Sequence, residues 1–127
     1  MKKLIFIAFF FLAIKVTAQG NLQFNQVLTY SQQYATSGSP NTYLSPTYQV
    51  PTGKVWKVEK FLMSPNNSSY PTFLRINNVN IIKQEDVNFG PVWLKPGDQI
   101  NAYTSVSGGG GYTGSYFISI IEFNIVP

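Results

Sequence analysis

Apolar and polar residues alternate over short stretches of this chain, and Gly, Pro or Asn turns separate one stretch from the next. Leu22–Tyr30 has an apolar residue at every second position until the phase shifts at Val27 or Leu28, which predicts a half-buried first strand with a bulge. The next stretch, Ser31–Ser45, is polar and contains Gly38-Ser39-Pro40. We therefore expect a long loop or an edge meander there.

The stretch Lys54–Met63 predicts a strand with Trp56 and Val58 on its inner face. Strict alternation would then point Lys60 into the core, so we expect a bulge near Glu59 and Lys60 that corrects the phase.

Two further pairs of strands follow, each joined by a tight turn. The pair Thr72–Ile76 and Val79–Lys83 flanks Asn77-Asn78, and Asn tolerates the positive φ that tight hairpins need. Val92–Lys95 precedes Pro96-Gly97, which suits a type II turn. The strand after that turn, Asp98–Ser105, has its apolar and small residues at alternate positions: Ile100, Ala102 and Thr104 are expected to point inward.

About eight short strands can be counted, and no segment shows a convincing helical period of 3.6 residues. Evenly spaced strands with Gly and Pro turns are typical of sandwiches and jelly rolls. The sequence therefore predicts an all-β protein, a single-domain antiparallel β-sandwich that is jelly-roll-like.

The closing stretch, Ser115–Val126, is rich in β-branched and aromatic residues and predicts the central strand of a sheet. Both of its alternating sets, Phe117-Ser119-Ile121 and Tyr116-Ile118-Ile120, are largely apolar. A two-layer sandwich covers one face of a strand, so we expect the outer face to meet either the N-terminal segment or a neighbouring subunit. The loop before it, Ser107–Gly114, has five glycines.

Residues 1–18 have the three parts of a secretory signal peptide. Lys2 and Lys3 precede the apolar Leu4–Ile14, and Val16-Thr17-Ala18 resembles a cleavage site. We expect a β-sandwich domain from residue 19 to 127, secreted or periplasmic, with no integral membrane segment after cleavage. The alternative is a retained membrane anchor, for which Leu4–Ile14 is short.

The net charge of the whole chain is +4, but three of its nine basic residues lie in the predicted signal segment. The remaining six basic residues against five acidic ones give +1, so we expect no nucleic-acid partner. The chain has no cysteine, which excludes a disulfide framework and a lipoprotein anchor.

The chain also lacks histidine. This excludes Ser-His-Asp and Cys-His nucleophile systems and His-ligated zinc, so we expect no enzyme, with a carboxylate-dependent hydrolase as the open alternative. We expect no cofactor. Glu85, Asp86 and Asn88, with Asp98 nearby, are a weak candidate for a calcium site, and a solvated acidic loop is the simpler interpretation because calcium takes six to eight ligands.

Aromatic side chains give the best indication of binding, since tyrosine and tryptophan suit stacking on sugar rings or packing on a protein. The candidate ligand-binding residues are Tyr112, Trp93, Tyr103, Glu85 and Asp86. The alternative for Tyr103, as for Tyr48 and Tyr116, is a half-buried ring in a strand.

The order Val-Pro-x-Gly-Lys-x-Trp-Lys-Val, Ile-Asn-Asn, Trp-Leu-Lys-Pro-Gly-Asp-x-Ile and Ile-Ser-Ile-Ile-Glu-Phe spans about residues 50–126. It is similar to small secreted jelly-roll-like β-sandwich proteins of Gram-negative bacteria, mostly of unassigned function. The resemblance implies the fold and assigns no functional residue.

Two functions of different classes are consistent with these patterns. The first is a secreted, non-catalytic module that binds a carbohydrate (a glycan) or a cell-surface protein through loops at one end of the sandwich. The second is a structural or assembly protein that forms homo-oligomers or filaments through its edge strands.

Overall fold

The computed structural model describes residues 21–37, 41–65, 70–83, 90–106 and 110–126, and it has nine β-strands in these ranges. The strands are β1 (Asn21–Thr36), β2 (Asn41–Leu44), β3 (Tyr48–Gln49), β4 (Lys54–Pro65), β5 (Thr72–Ile76), β6 (Val79–Lys83), β7 (Val92–Leu94), β8 (Gln99–Val106) and β9 (Tyr112–Val126).

The strands form two packed antiparallel sheets. Sheet A has the order β1-β9-β4-β7, and sheet B has the order β2-β8-β5-β6 with β3 also paired to β8. The pairs are nested, because β1 pairs with β9, β2 and β3 with β8, β4 with β7, and β5 with β6. This is the connectivity of a jelly roll. Since β2 and β3 are two pieces of one interrupted strand along β8, the prediction of a jelly-roll-like sandwich of about eight strands is confirmed.

The predicted turns are present. Asn77 and Asn78 have φ of 49° and 66°, and they join β5 and β6 at the predicted bounds. Gly97 has a φ of 89°, as the third residue of a type II turn requires.

Both bulges exist, but one lies elsewhere than expected. The register of β4 on β9 shifts between Val58 and Lys60, as predicted. In β1 the shift falls between Phe24 and Gln26, before the expected Val27 or Leu28. Strand β1 also continues to Thr36 and β2 begins at Asn41, so the described part of the stretch from residue 31 is mainly edge strand. This agrees with the second of the two expectations, an edge meander, and not with a long loop. The long partner β9 imposes this extension, because pairing overrides the weak strand propensity of a polar sequence.

Strand β9 lies between β1 and β4 and is one of the two central strands of sheet A, which agrees with its predicted central position. Its even-numbered residues face sheet B, and Ile118 and Ile120 are fully buried against Val58 and Ile100 of the same core. In β8, Ile100, Ala102 and Thr104 are all buried, which confirms their predicted direction.

Candidate functional site

The residues predicted to form one site lie far apart. Tyr112 is the first residue of β9, whereas Trp93 lies in β7 level with Lys57 and Ile121. Nine residues of extended strand separate these levels, roughly 30 Å. Glu85, Asp86 and Asn88 lie outside the described residues.

Tyr112 also has a different environment from the flexible loop position that we expected. Its side chain is only 3% exposed, and its ring packs edge-on against Tyr34 and Tyr70 at 6.1 and 5.0 Å between centroids. The correction follows from the length of β9, which begins three residues earlier than the closing stretch marked by the sequence. A ligand at the surface does not reach this ring in the observed conformation.

Tyr112 belongs to a larger group of tyrosines that pack in or against the core between the two sheets. Seven tyrosines pack in or against the core: Tyr30, Tyr34, Tyr43, Tyr48, Tyr70, Tyr112 and Tyr116. Two pairs are stacked across the sheets, Tyr30 on Tyr48 at 3.7 Å and Tyr34 on Tyr43 at 4.0 Å. Burial, together with the neighbouring Tyr112 and Tyr43, raises the pKa of Tyr34 to about 12. These rings therefore stabilise the fold.

Tyr103 lies on the outer face of sheet B, which is the opposite side of the sandwich from Trp93. The Arg75 guanidinium lies over the Tyr103 ring at 4.8 Å, and Phe73 is 6.5 Å from it. The three side chains form a small half-exposed cluster separate from Trp93.

Trp93 is one member of a large exposed apolar surface. Ten apolar side chains point outward from sheet A, and we call this surface the apolar face: Leu22, Phe24, Val27, Val55, Leu62, Trp93, Phe117, Ile121, Phe123 and Ile125. Six of the nine large hydrophobic side chains that are exposed among the described residues lie here. The sheet is therefore apolar on both sides.

Cross-strand pairing arranges these side chains in rows. Phe24 and Val55 flank Phe123 on its two sides, and Val27 lies beside Ile121 one row further along. The described N-terminal strand pairs with the edge of β9 and does not cover its outer face. The sequence led us to expect that either the N-terminal segment or a neighbouring subunit covers this face. The described part of the N-terminal segment does not cover it.

Trp93 stands at the β7 edge of the apolar face. Its ring is 5.5 Å from Phe123, and the Lys57 ammonium lies 5.9 Å from the ring centroid. Lys57 is also paired with Glu59. Trp93 remains 51% exposed despite these neighbours, and Phe24 at the other side is 63% exposed.

Sequence analysis found Trp93 but missed Phe24 and Phe123 as surface residues. The signal was present, because both alternating sets of the closing stretch are apolar. What could not be known was that Phe24 pairs directly with Phe123, since this depends on the bulge at Asn25.

A shallow groove of about 640 Å³ continues the outer surface of sheet A beyond the apolar face. It is lined by Gln33, Tyr34, Ala35, Ser64, Pro65, Thr113, Gly114 and Ser115. None of these lining residues is charged, and hydroxyl and amide groups predominate among the polar ones.

Among the acidic residues that the structure describes, Glu122 has the most unusual environment. It is 3% exposed and lies 3.9 Å from the Lys54 ammonium. Three side chains donate hydrogen bonds to it: Trp56 at 2.7 Å, Asn25 at 2.6 Å and Gln26 at 3.0 Å. Burial alone would raise the pKa of Glu122, but these bonds and Lys54 outweigh burial and lower it. Its oxygens are thus occupied by structural partners.

Within the described ranges, no group of three or more acidic side chains is placed to hold a metal ion. These ranges also contain no helix long and apolar enough to cross a lipid bilayer.

No protein-family model, no curated protein and no solved structure matches this chain. Its functional assignment therefore depends on the surface described above.

Proposed function

We propose that this protein is a secreted, non-catalytic binding module that docks on a protein partner through its apolar face. One observation carries the proposal: the outer surface of sheet A is apolar along three rows of cross-strand neighbours and is uncovered among the described residues. Antiparallel sheets with one solvated side normally place polar residues there.

The size of the face fits a docking surface. From the Ile125 row to the Phe117 row it extends about 27 Å, and the axes of β1 and β7 are about 14 Å apart. The outer surface within these bounds is therefore roughly 400 Å². One polar row, Thr29, Ser119 and Lys60, crosses it between the Ile121 and Phe117 rows. Protein-docking surfaces tolerate such a row, because they are only slightly more than half non-polar.

The side chains favour a protein partner over a sugar as the main ligand. Trp93 and Phe24 are rigid aromatic anchors of the kind that dominate binding energy at protein interfaces. Leu22, Val27 and Ile125 surround them with aliphatic surface, which packs on apolar side chains and offers no hydrogen bond to a sugar hydroxyl.

The charge of the apolar face indicates which charged groups border the partner's docking surface. Lys57 and Lys60 lie on its β4 side, and Glu59 neutralises the first of them. The net single positive charge favours an apolar partner surface bordered by acidic groups.

The experiment measures binding of fluorescently labelled protein to the surface of the cells that produce it, by flow cytometry. The double variant Phe24→Ser/Trp93→Ser is compared with Leu44→Ser, whose side chain is 49% exposed on the outer face of sheet B. Loss of one hot-spot anchor costs about 2 kcal/mol or more, so the double variant should bind at least ~30-fold more weakly even if only one of the two residues is a hot spot. Leu44→Ser should bind as wild type does.

Equal binding of the double variant and wild type would refute docking through the apolar face. Pretreating the cells with protease separates partner classes, because a protein partner is destroyed and a glycan survives. Periodate oxidation has the opposite selectivity.

A carbohydrate is the second candidate ligand, and the groove favours it. Gln33, Ser64, Thr113 and Ser115 present uncharged polar groups beside the apolar face, a combination that suits sugar hydroxyls. Binding that is lost after periodate and in Gln33→Ala/Thr113→Ala, but kept after protease, would support this candidate instead.

A further inference from the structure

Strand β1 forms one entire edge of sheet A. It is 16 residues long and pairs with β9 from Asn21 opposite Val126 to Thr36 opposite Tyr112. Among the described residues, no strand pairs with its other side. Alternate residues of such an edge point their N–H and C=O groups away from the sheet. The opposite edge, β7, has only three residues.

This edge lacks most of the features that keep edge strands from pairing. Natural edges are commonly short, or carry Lys, Pro or inward-pointing charges. The sequence of β1 has no charged residue and no proline. Its single irregularity is the bulge between Phe24 and Gln26, and its register with β9 is regular from Gln26 to Thr36.

We propose that Gln26–Thr36 pairs antiparallel with the same segment of a second copy of this chain, about a two-fold axis perpendicular to sheet A. The four strands of sheet A in each copy would join into one continuous sheet of eight. This proposal concerns the edge of the sheet and does not depend on the proposed function of its face.

The composition of β1 favours a second copy as the partner. A two-fold pair places each side chain of the strand opposite another from the same strand, and like charges there are destabilising. Thr29, Ser31 and Gln33, which point to the outer side, are neutral and capable of hydrogen bonding across the pair. No register of this strand with itself therefore opposes two charges.

The two-fold axis of the proposed dimer determines how the two apolar faces are placed. A two-fold axis perpendicular to the sheet keeps the same side outward in both copies, so the dimer presents two apolar faces side by side. Trp93 lies on β7, at the edge farthest from β1, and stays clear of the joint. Two linked faces would strengthen attachment to a multivalent surface through effective concentration.

The first test measures the mass of the purified protein in solution by sedimentation velocity. The full-length gene is expressed, and the protein is purified in the processed form that the cells produce. We expect twice the monomer mass for wild type. We expect the monomer mass for Thr29→Lys/Ser31→Lys, because both positions are exposed on β1 and the lysines would bring like charges together across the pair. Thr42→Lys, exposed on β2, is the matched control and should remain a dimer. A monomeric wild type, as expected if β1 pairs with another protein, would overturn the proposal, and so would a dimeric double-lysine variant.

The second test locates the joint. The chain has no cysteine, so a single introduced cysteine can form a disulfide only between copies. In a two-fold antiparallel pair one residue lies opposite itself, close enough for a disulfide. Cysteine placed singly at each position from 29 to 33 should cross-link strongly at one of them, and Thr42→Cys should not. Equal or absent cross-linking at all six positions would contradict the two-fold joint. The double variant Phe24→Ser/Trp93→Ser should still dimerise, which keeps this result separate from docking through the apolar face.

Discussion

The indole N–H of Trp56 donates a hydrogen bond of 2.7 Å to Oε2 of Glu122, its direct cross-strand neighbour on the two central strands of sheet A. Both side chains are at most 3% exposed. A buried carboxylate is costly unless its charge is paired and its oxygens are hydrogen-bonded. Here Asn25 and Gln26 at the β1 bulge and Lys54 in β4 complete the shell, so the carboxylate ties three strands together.

Removing this carboxylate should destabilise the fold. Glu122→Ala leaves the buried Trp56 N–H and its neighbours without their acceptor, and we expect a loss of about 3 kcal/mol in the free energy of unfolding. Urea denaturation measures it. The control is Glu59→Ala, whose side chain is 38% exposed and should matter by less than about 1 kcal/mol. Equal effects of the two substitutions would show that the shell around Glu122 has no special role.

Glu122 also predicts how stability depends on acid. Because the folded protein lowers the pKa of Glu122, its contribution is complete above the unfolded pKa of about 4.3 and disappears as the pH falls through the folded value. We expect the free energy of unfolding of the wild type to decrease as the pH is lowered from about 5. The free energy of unfolding of Glu122→Gln should decrease less steeply over the same range. Parallel curves for the variant and wild type would contradict the lowered pKa.

Gly114 should tolerate no side chain. A Cβ at this position would lie 2.6 Å from the Tyr34 hydroxyl and 2.7 Å from the Ser64 carbonyl oxygen, below any normal contact. Gly114→Ala should therefore cost about 1–3 kcal/mol through overpacking. Gly90→Ala is the matched control, since a Cβ there would have no atom of the described residues within 4 Å. Thermal unfolding of both variants checks the difference, and a wild-type midpoint for Gly114→Ala would mean that β1 can move away from β9.

Removing the hydroxyl of Tyr48 and removing that of Tyr34 should have different effects on stability. The Tyr48 and Tyr116 hydroxyls share a hydrogen bond of 2.7 Å, so Tyr48→Phe should cost about 1 kcal/mol. The buried Tyr34 hydroxyl has no hydrogen-bond partner among the described residues. Tyr34→Phe should thus leave stability unchanged or raise it by up to about 1 kcal/mol. A larger loss for Tyr34→Phe than for Tyr48→Phe in urea denaturation would reverse this assignment.

Most of the fold could be predicted because its signals are local. Asn77-Asn78 and Pro96-Gly97 specify turns by the φ angles that they allow, and the phase error at Lys60 required a bulge. The extent of β1 could not be predicted in this way. The polar residues from Ser31 to Thr36 are strand because β9 offers them a partner, which is a long-range effect.

The site was harder to predict than the fold, because a side chain's exposure depends on which strands meet. Tyr112 and Trp93 look equally available in the sequence, yet the first is 3% exposed and the second 51%. Phe24 became part of the candidate surface only through its register with Phe123. The apolar outer set of the closing strand was visible in the sequence, and in the structure these side chains lie on the outer side of sheet A.

The most direct test of the binding surface is photo-crosslinking in living cultures of the cells that produce the protein. A photo-reactive phenylalanine analogue replaces Trp93 on the apolar face in one variant and Leu44 on the outer face of sheet B in another. We predict that irradiation yields one defined protein adduct from position 93, with a mass different from two copies of this chain, and none from position 44. An adduct from position 44 but none from position 93 would contradict docking through the apolar face.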